Sequence, residues 1–178
     1  MIIRDGGSVL AVDKVEDRLV AARQRLGEAY TPLAIDITSP TAPATIAQAV
    51  DGPVDILVNN AGVMDGFLPL AELDDETWEH VMAVNITAAV RLTRELLPAM
   101  ISAGHGAIVN VSNEAALRST CAGLAYSISK AAVNAFTQHV AALYSYDGIR
   151  CNAVAPGRST PPPPTSCRAW PLSDWTRS

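Results

Sequence analysis

Tyr126 and Lys130 stand four residues apart in the segment Tyr126-Ser127-Ile128-Ser129-Lys130. On a helix that spacing is about one turn, so both side chains share a face. A phenol with a pKa near ~10 is a poor base at neutral pH. An adjacent ammonium favours the phenolate and is expected to lower that value. A phenol so tuned can exchange a proton with a hydroxyl or a carbonyl oxygen. Taken alone, the pair also fits a surface couple on an amphipathic helix. Thirteen residues before Tyr126 stands Asn113, whose amide can donate a hydrogen bond to an oxyanion. Asn85 falls inside an apolar helical stretch, a place helices disfavour for asparagine. The run Asn59-Asn60-Ala61-Gly62 closes an apolar stretch; asparagines tie down irregular backbone and Gly62 allows close approach.

These residues need a scaffold, and the sequence alternates strand-like with helical patterns. Strands are expected at 8–13, 32–37, 54–60, 106–112 and 149–155. Helices are expected at 14–27, 39–50, 74–97 and 125–144. The first places Val15, Leu19, Ala22 and Leu26 on one face, with Gly27 as C-cap. The second starts with Ser39 as N-cap and Pro40 at the first helical position. The third has an acidic first turn, suited to the helix dipole. This alternation argues for an α/β domain with a parallel, helix-covered sheet. Asp13, Asp36, Asn59, Asn60, Asn113 and Pro156 all fall at the carboxyl ends of strands, where such sheets bind ligands.

Composition narrows the classes. At 178 residues, 49% of them hydrophobic, the chain can bury one sizeable core. A net charge of −5 without a basic patch argues against nucleic acid as a partner. No run is long and apolar enough for a bilayer, so no membrane partner is expected. The residues Cys121, Cys151 and Cys167 are odd in number and far apart, which suggests a reducing, cytoplasmic setting without disulfides or zinc. His80, His105 and His139 are scattered and read as solvated or packing residues rather than metal ligands.

The motifs Asn59–Gly62, Asn85, Tyr126-x-x-x-Lys130 and Asn152-Ala153-Val154-Ala155-Pro156-Gly157 come in the order and spacing of the short-chain dehydrogenase/reductase family, which residues 6–157 resemble. The resemblance implies an α/β, Rossmann-type three-layer sandwich with a mostly parallel sheet. It implies hydride exchange between a nicotinamide cofactor and an alcohol or carbonyl small-molecule substrate. Tyr126 would be the acid/base, Lys130 would also hold the nicotinamide ribose, and Asn85 would relay protons. Asn60, Ala61 and Gly62 would lie against the adenosine, Asp36 would bind the adenine amino group with Ile37 beside the ring, and Pro156 and Gly157 would lie near the nicotinamide. An acid at Asp13 can accept hydrogen bonds from the adenosine ribose and repels a 2′-phosphate. It favours NAD, while the adjoining Lys14 keeps NADP possible. The family also suggests a homo-oligomer, through the helices at 74–97 and 125–144.

The chain departs from the family pattern in three places. The position normally held by serine is Asn113; Ser112 beside it points to the opposite face of a strand. Gly6-Gly7 leads into a strand rather than a helix, so it cannot cradle a pyrophosphate, and a first strand with its glycine-rich loop is missing from the pattern. A C-terminal strand is missing too. From Arg158 the text carries four consecutive prolines and loses all periodicity. Residues 1–157 therefore read as a partial Rossmann-type domain and 158–178 as a disordered, foreign or out-of-frame tail. The alternative function is a non-catalytic fragment or pseudoenzyme that keeps the fold without turnover.

Overall fold

Asp13 ends the first strand and turns its carboxylate back onto the amide of Val15, at 2.9 Å, which starts the chain toward its first helix. This computed structural model describes residues 2–118 and 121–157. Strand β1 (Val9–Asp13) leads through helix α1 (Glu16–Leu26) into β2 (Tyr30–Ala34), and the two strands pair in parallel with Val9 opposite Tyr30. Leu19 is the buried residue of α1, and Gly27 closes it at φ 79°. Helix α2 (Ala42–Gln48) follows, then β3 (Ile56–Asn59) and helix α3 (Asp75–Met82). The Asp74 side chain caps α3 by accepting from the Thr77 amide at 2.6 Å. A π-helical turn (Ala83–Thr87) joins α3 to α4 (Ala88–Ala103), which feeds β4 (Gly106–Val111). Helix α5 (Leu124–Tyr144) and β5 (Ile149–Val154) complete the order.

The α/β class and the parallel pairing match the expectation. The sheet is in two pieces, β1–β2 and β3–β4–β5. Strand β1 pairs with β2 along its length and with none of β3, β4 and β5. The strand expected at 32–37 starts two residues earlier and ends three residues earlier, at Ala34. Thr38 donates its amide and hydroxyl to Asp36, at 2.8 and 2.7 Å, and this turn ends the extended run. The turn continues through Ser39, so α2 begins at Ala42 behind Thr41, with Pro43 rather than Pro40 in the first turn. The helix expected at 74–97 runs to Ala103 and is broken by the π turn.

One face of β3–β4–β5 is sealed by α4 and α5. Leu57, Ile108, Ile149 and Cys151 from the strands pack with Leu96, Leu97, Met100 and Val140 from the helices. The other face carries Ile56 and Val58, which are 47% and 50% exposed. A ladder of polar side chains crosses the sealed side. Asn59 donates to Asn110 at 2.8 Å and to Thr93 at 3.2 Å, and Asn110 donates to Thr137 at 2.9 Å. Buried amides cost free energy unless satisfied, so these bonds are part of what holds the layer together. Residues 158–178, the expected tail, lie outside the described residues.

Candidate active site

Asn85 sits in the π turn, 3% exposed, and is fully engaged. Its Oδ1 accepts from the Val63 amide at 2.8 Å, while its Nδ2 donates to the Val63 carbonyl at 3.0 Å and to Ser129 Oγ at 2.9 Å. Single π turns are found where a helix must re-aim a side chain. Here the turn directs an amide across to α5 and onto the loop that follows Asn59–Gly62. Ser129 in turn donates to the Tyr126 carbonyl at 2.7 Å. Both amide hydrogens of Asn85 are thereby committed to protein groups.

Lys130, also 3% exposed, crosses from α5 to the end of β4 and donates to the Val111 carbonyl at 2.8 Å. Gly62 leaves room for it. A Cβ there would lie 3.3 Å from Lys130 Nζ and 3.5 Å from Asn85 Oδ1. The missing side chain at Gly62 thus serves these two protein groups. The Lys130 ammonium lies 5.6 Å from the centre of the Tyr126 ring, within cation–π range. Tyr126, Lys130, Asn85 and Gly62 form one cluster at the carboxyl ends of β3 and β4.

The electrostatics of this cluster correct one expectation. Burial pushes the Tyr126 phenol above its ordinary value, and the Asp65 carboxylate adds to the rise. Burial pushes the Lys130 ammonium down. This rise outweighs any lowering by Lys130, whose Nζ is drawn to the Val111 carbonyl and lies 5.6 Å from the ring centre. Both side chains are drawn toward their neutral forms.

Asn113 lies beside the cluster, at the end of β4. Its Oδ1 accepts from the Ala115 amide at 2.9 Å and its Nδ2 donates to the Pro156 carbonyl at 3.2 Å. The side chain caps the short turn Glu114–Ala116 and ties it to the end of β5. Ser112, 2% exposed, points the opposite way and donates to the Lys130 carbonyl at 3.2 Å. Pro156 and Gly157 are exposed next to Glu114; a Cβ on Gly157 would lie 3.1 Å from Glu114 Oε2.

The remaining sequence candidates stand apart. Asn60 and Ala61 are exposed where the chain leaves β3. Asp13 and Asp36 belong to the β1–β2 pair, whose ends are joined by the Ile35 amide donating to the Asp13 carbonyl. Asp36 is exposed, and Thr38 holds its carboxyl below the usual value, first through the hydroxyl and then through the amide. Ile37 follows it, partly buried. Among the described residues no group of His, Cys, Asp and Glu is placed to hold a metal.

Sequence reasoning missed Asp65 and Ser129. Ser129 lies inside the Tyr–Lys motif and could have been weighed as a partner for Asn85. Asp65 looks like an ordinary Asp-Gly turn residue, yet it is 2% exposed and accepts from the amide of Tyr126 at 3.0 Å.

Known proteins share this arrangement of elements. Residues 1–167 match the family model described as short chain dehydrogenase. The match runs past Gly157, where the sequence pattern placed the end of the domain. The chain is 39% identical over 163 residues to 3beta-hydroxysteroid dehydrogenase 2 of Eggerthella lenta, covering 86% of this chain and 62% of that protein. Among solved structures, the closed form of serine dehydrogenase complexed with NADP+ superposes with a TM-score of 0.83 at 28% identity, over 88% of this chain and 64% of that one. A short-chain dehydrogenase from Streptomyces avermitilis gives 0.83 at 27% identity, over 88% of this chain and 58% of that one. The chain thus spans less than two thirds of the length of these proteins.

Proposed function

This chain belongs to the short-chain dehydrogenase family, and on that premise we propose that it carries the proton-transfer site of an NAD(P)-dependent oxidoreductase acting on an alcohol or carbonyl. The observation that carries the reading is the cluster of half-buried Tyr126 with buried Lys130 and Asn85 at the strand ends. The residues fit the nicotinamide end of the cofactor. Lys130 has a buried ammonium with three donors, and the Val111 carbonyl takes one of them. Its other hydrogens suit ribose hydroxyls. Asn60, Ala61, Pro156 and Gly157 are exposed around the same strand ends. Asp13 would meet the adenosine ribose, which favours NAD, and Asp36 with Ile37 would meet the adenine. The described residues contain no glycine-rich strand-to-helix turn for the pyrophosphate.

When bound, the nicotinamide supplies or accepts the hydride. The protein supplies the proton. Tyr126, kept protonated by burial and by Asp65, is set to donate its phenolic proton to a carbonyl oxygen as that carbon is reduced. In the reverse direction the phenolate takes the alcohol proton, so oxidation should rise at alkaline pH. Asn85 holds the Val63 loop and Ser129 and so fixes the tyrosine's turn, and its site would adjoin the proton path from Lys130. Asn113 would offer the substrate oxygen a donor in place of serine. A second copy would pack through the helices at 74–97 and 125–144, that is α3 with the first part of α4, and α5, and the unpaired Cys121 and Cys151 fit a cytoplasmic setting. No helix among the described residues is long and apolar enough to cross a membrane.

Two observations favour a non-catalytic reading. The Asn113 amide is tied at both ends to backbone groups, and the sheet is split between β1–β2 and β3–β4–β5. NADH fluorescence with the purified 178-residue chain decides between them. Binding with Tyr126-dependent turnover supports the enzyme. No binding at millimolar cofactor would sink it for this chain.

A further inference from the structure

We propose that Asp65 is a positioning residue for Tyr126: its buried carboxylate clamps the loop after Asn59–Gly62 to the first turn of α5, and so fixes where the tyrosine stands. The proposal rests on reading Tyr126 as the proton-transfer group. Helix α5 begins behind Gly123, which has no side chain to cap it. Asp65 supplies the cap from 61 residues away, accepting from the Tyr126 amide at 3.0 Å, and accepts from the Phe67 amide at 3.1 Å. A carboxylate shielded from water needs such donors, and the helix N-terminus favours its charge. The fit is tight, because a Cβ on Gly123 would collide with both Asp65 oxygens. The same loop carries Val63, held from the other side by Asn85. Loop, π turn and the first turn of α5 are therefore tied to one another.

Asp65 also bears on the phenol electrostatically. Of the other charged groups on α5 and on elements packed against it, Lys130 lies 5.6 Å from the ring centre and Glu114 is paired with Arg118. Asp75, Glu76, Glu79 and His80 of α3, Arg150 of β5 and Asp147 are exposed to solvent.

The test uses the full chain without cofactor. In Asp65→Ala the Tyr126 amide should exchange with deuterium about ten- to a hundredfold faster. Gly123→Ala should do the same alone and add nothing in the Asp65→Ala background. In Asp65→Asn, the tyrosine whose alkaline absorbance step is missing from Tyr126→Phe should ionise at lower pH. Exchange unchanged in both Asp65→Ala and Gly123→Ala, or a step unmoved in Asp65→Asn, overturns the proposal. Neither readout needs NADH, so failure of the clamp and failure of the oxidoreductase reading are seen separately.

Discussion

The two sheet fragments carry candidate residues of the same cofactor-binding pattern but hold them by different physics. Around Tyr126 every key side chain is pinned by partners far away in sequence. Asn85 reaches Val63 and Ser129, Lys130 reaches Val111, and Asp65 reaches the Tyr126 amide. At β1–β2 the acids bond only to near neighbours, Asp13 to Val15 and Asp36 to Thr38. The first region is preorganised by tertiary structure. The second is shaped by local turns, each closed by a bond to a residue two positions on. Geometry fixed by distant contacts is fragile to mutation and precise in chemistry; geometry fixed locally is the reverse.

The sharpest way to break this contrast is at the phenol itself. Tyr126→Phe should lower turnover by roughly 10²- to 10⁴-fold, the usual worth of a positioned acid or base, with little change in melting temperature. Next comes Asn85→Ala. It leaves the Val63 amide and carbonyl and the Ser129 hydroxyl short of a partner, and should destabilise the fold by about 2–4 kcal/mol in urea titrations. If it costs as little as a surface change, the preorganised region is misjudged. Asn113→Ser should raise turnover by about tenfold where any is measurable, by restoring a hydroxyl donor; a fall would show that position 113 is structural only. At the other region, Thr38→Val should cost under about 1 kcal/mol, because it removes a local bond to an exposed acid.

The smallest effect lies at an exposed pair. His105 bonds Asp55 at 3.0 Å and the Ala103 carbonyl at 3.1 Å, and these partners, Asp55 first, raise its pKa. A raised histidine contributes stability that is fully present below its unfolded value near ~6.5 and is lost as pH rises through the folded one. The melting temperature of His105→Gln should therefore trail the parent slightly at pH 5 and coincide with it at pH 8.

What the sequence made legible follows the same divide. The Tyr126–Lys130 pair shows because helical period puts both on one face, and the alternation of strands and helices shows because it is a pattern of adjacent residues. Asp65 stays hidden because its partner is 61 residues away. The π turn is hidden too, since one extra residue in a helix barely disturbs its apolar period. The end of β2 is misplaced because Ile35 and Ile37 continue an apolar run that only the Asp36–Thr38 turn interrupts. The lysine's weak hold on the phenol could not be read from spacing, because it depends on where the ammonium finds its carbonyl.

The ladder from Asn59 to Asn110 has a consequence for how the chain finds its register. A strand slipped by two residues keeps its apolar side chains on the correct face, so burial alone scarcely penalises the error. In β3 and β4, Asn59 stands directly opposite Asn110, and a two-residue slip would set Asn59 opposite Ile108 or Ser112 and break the bond between the two amides. The asparagine pair therefore acts as a proofreading mark, rejecting misaligned strands that the hydrophobic pattern would accept.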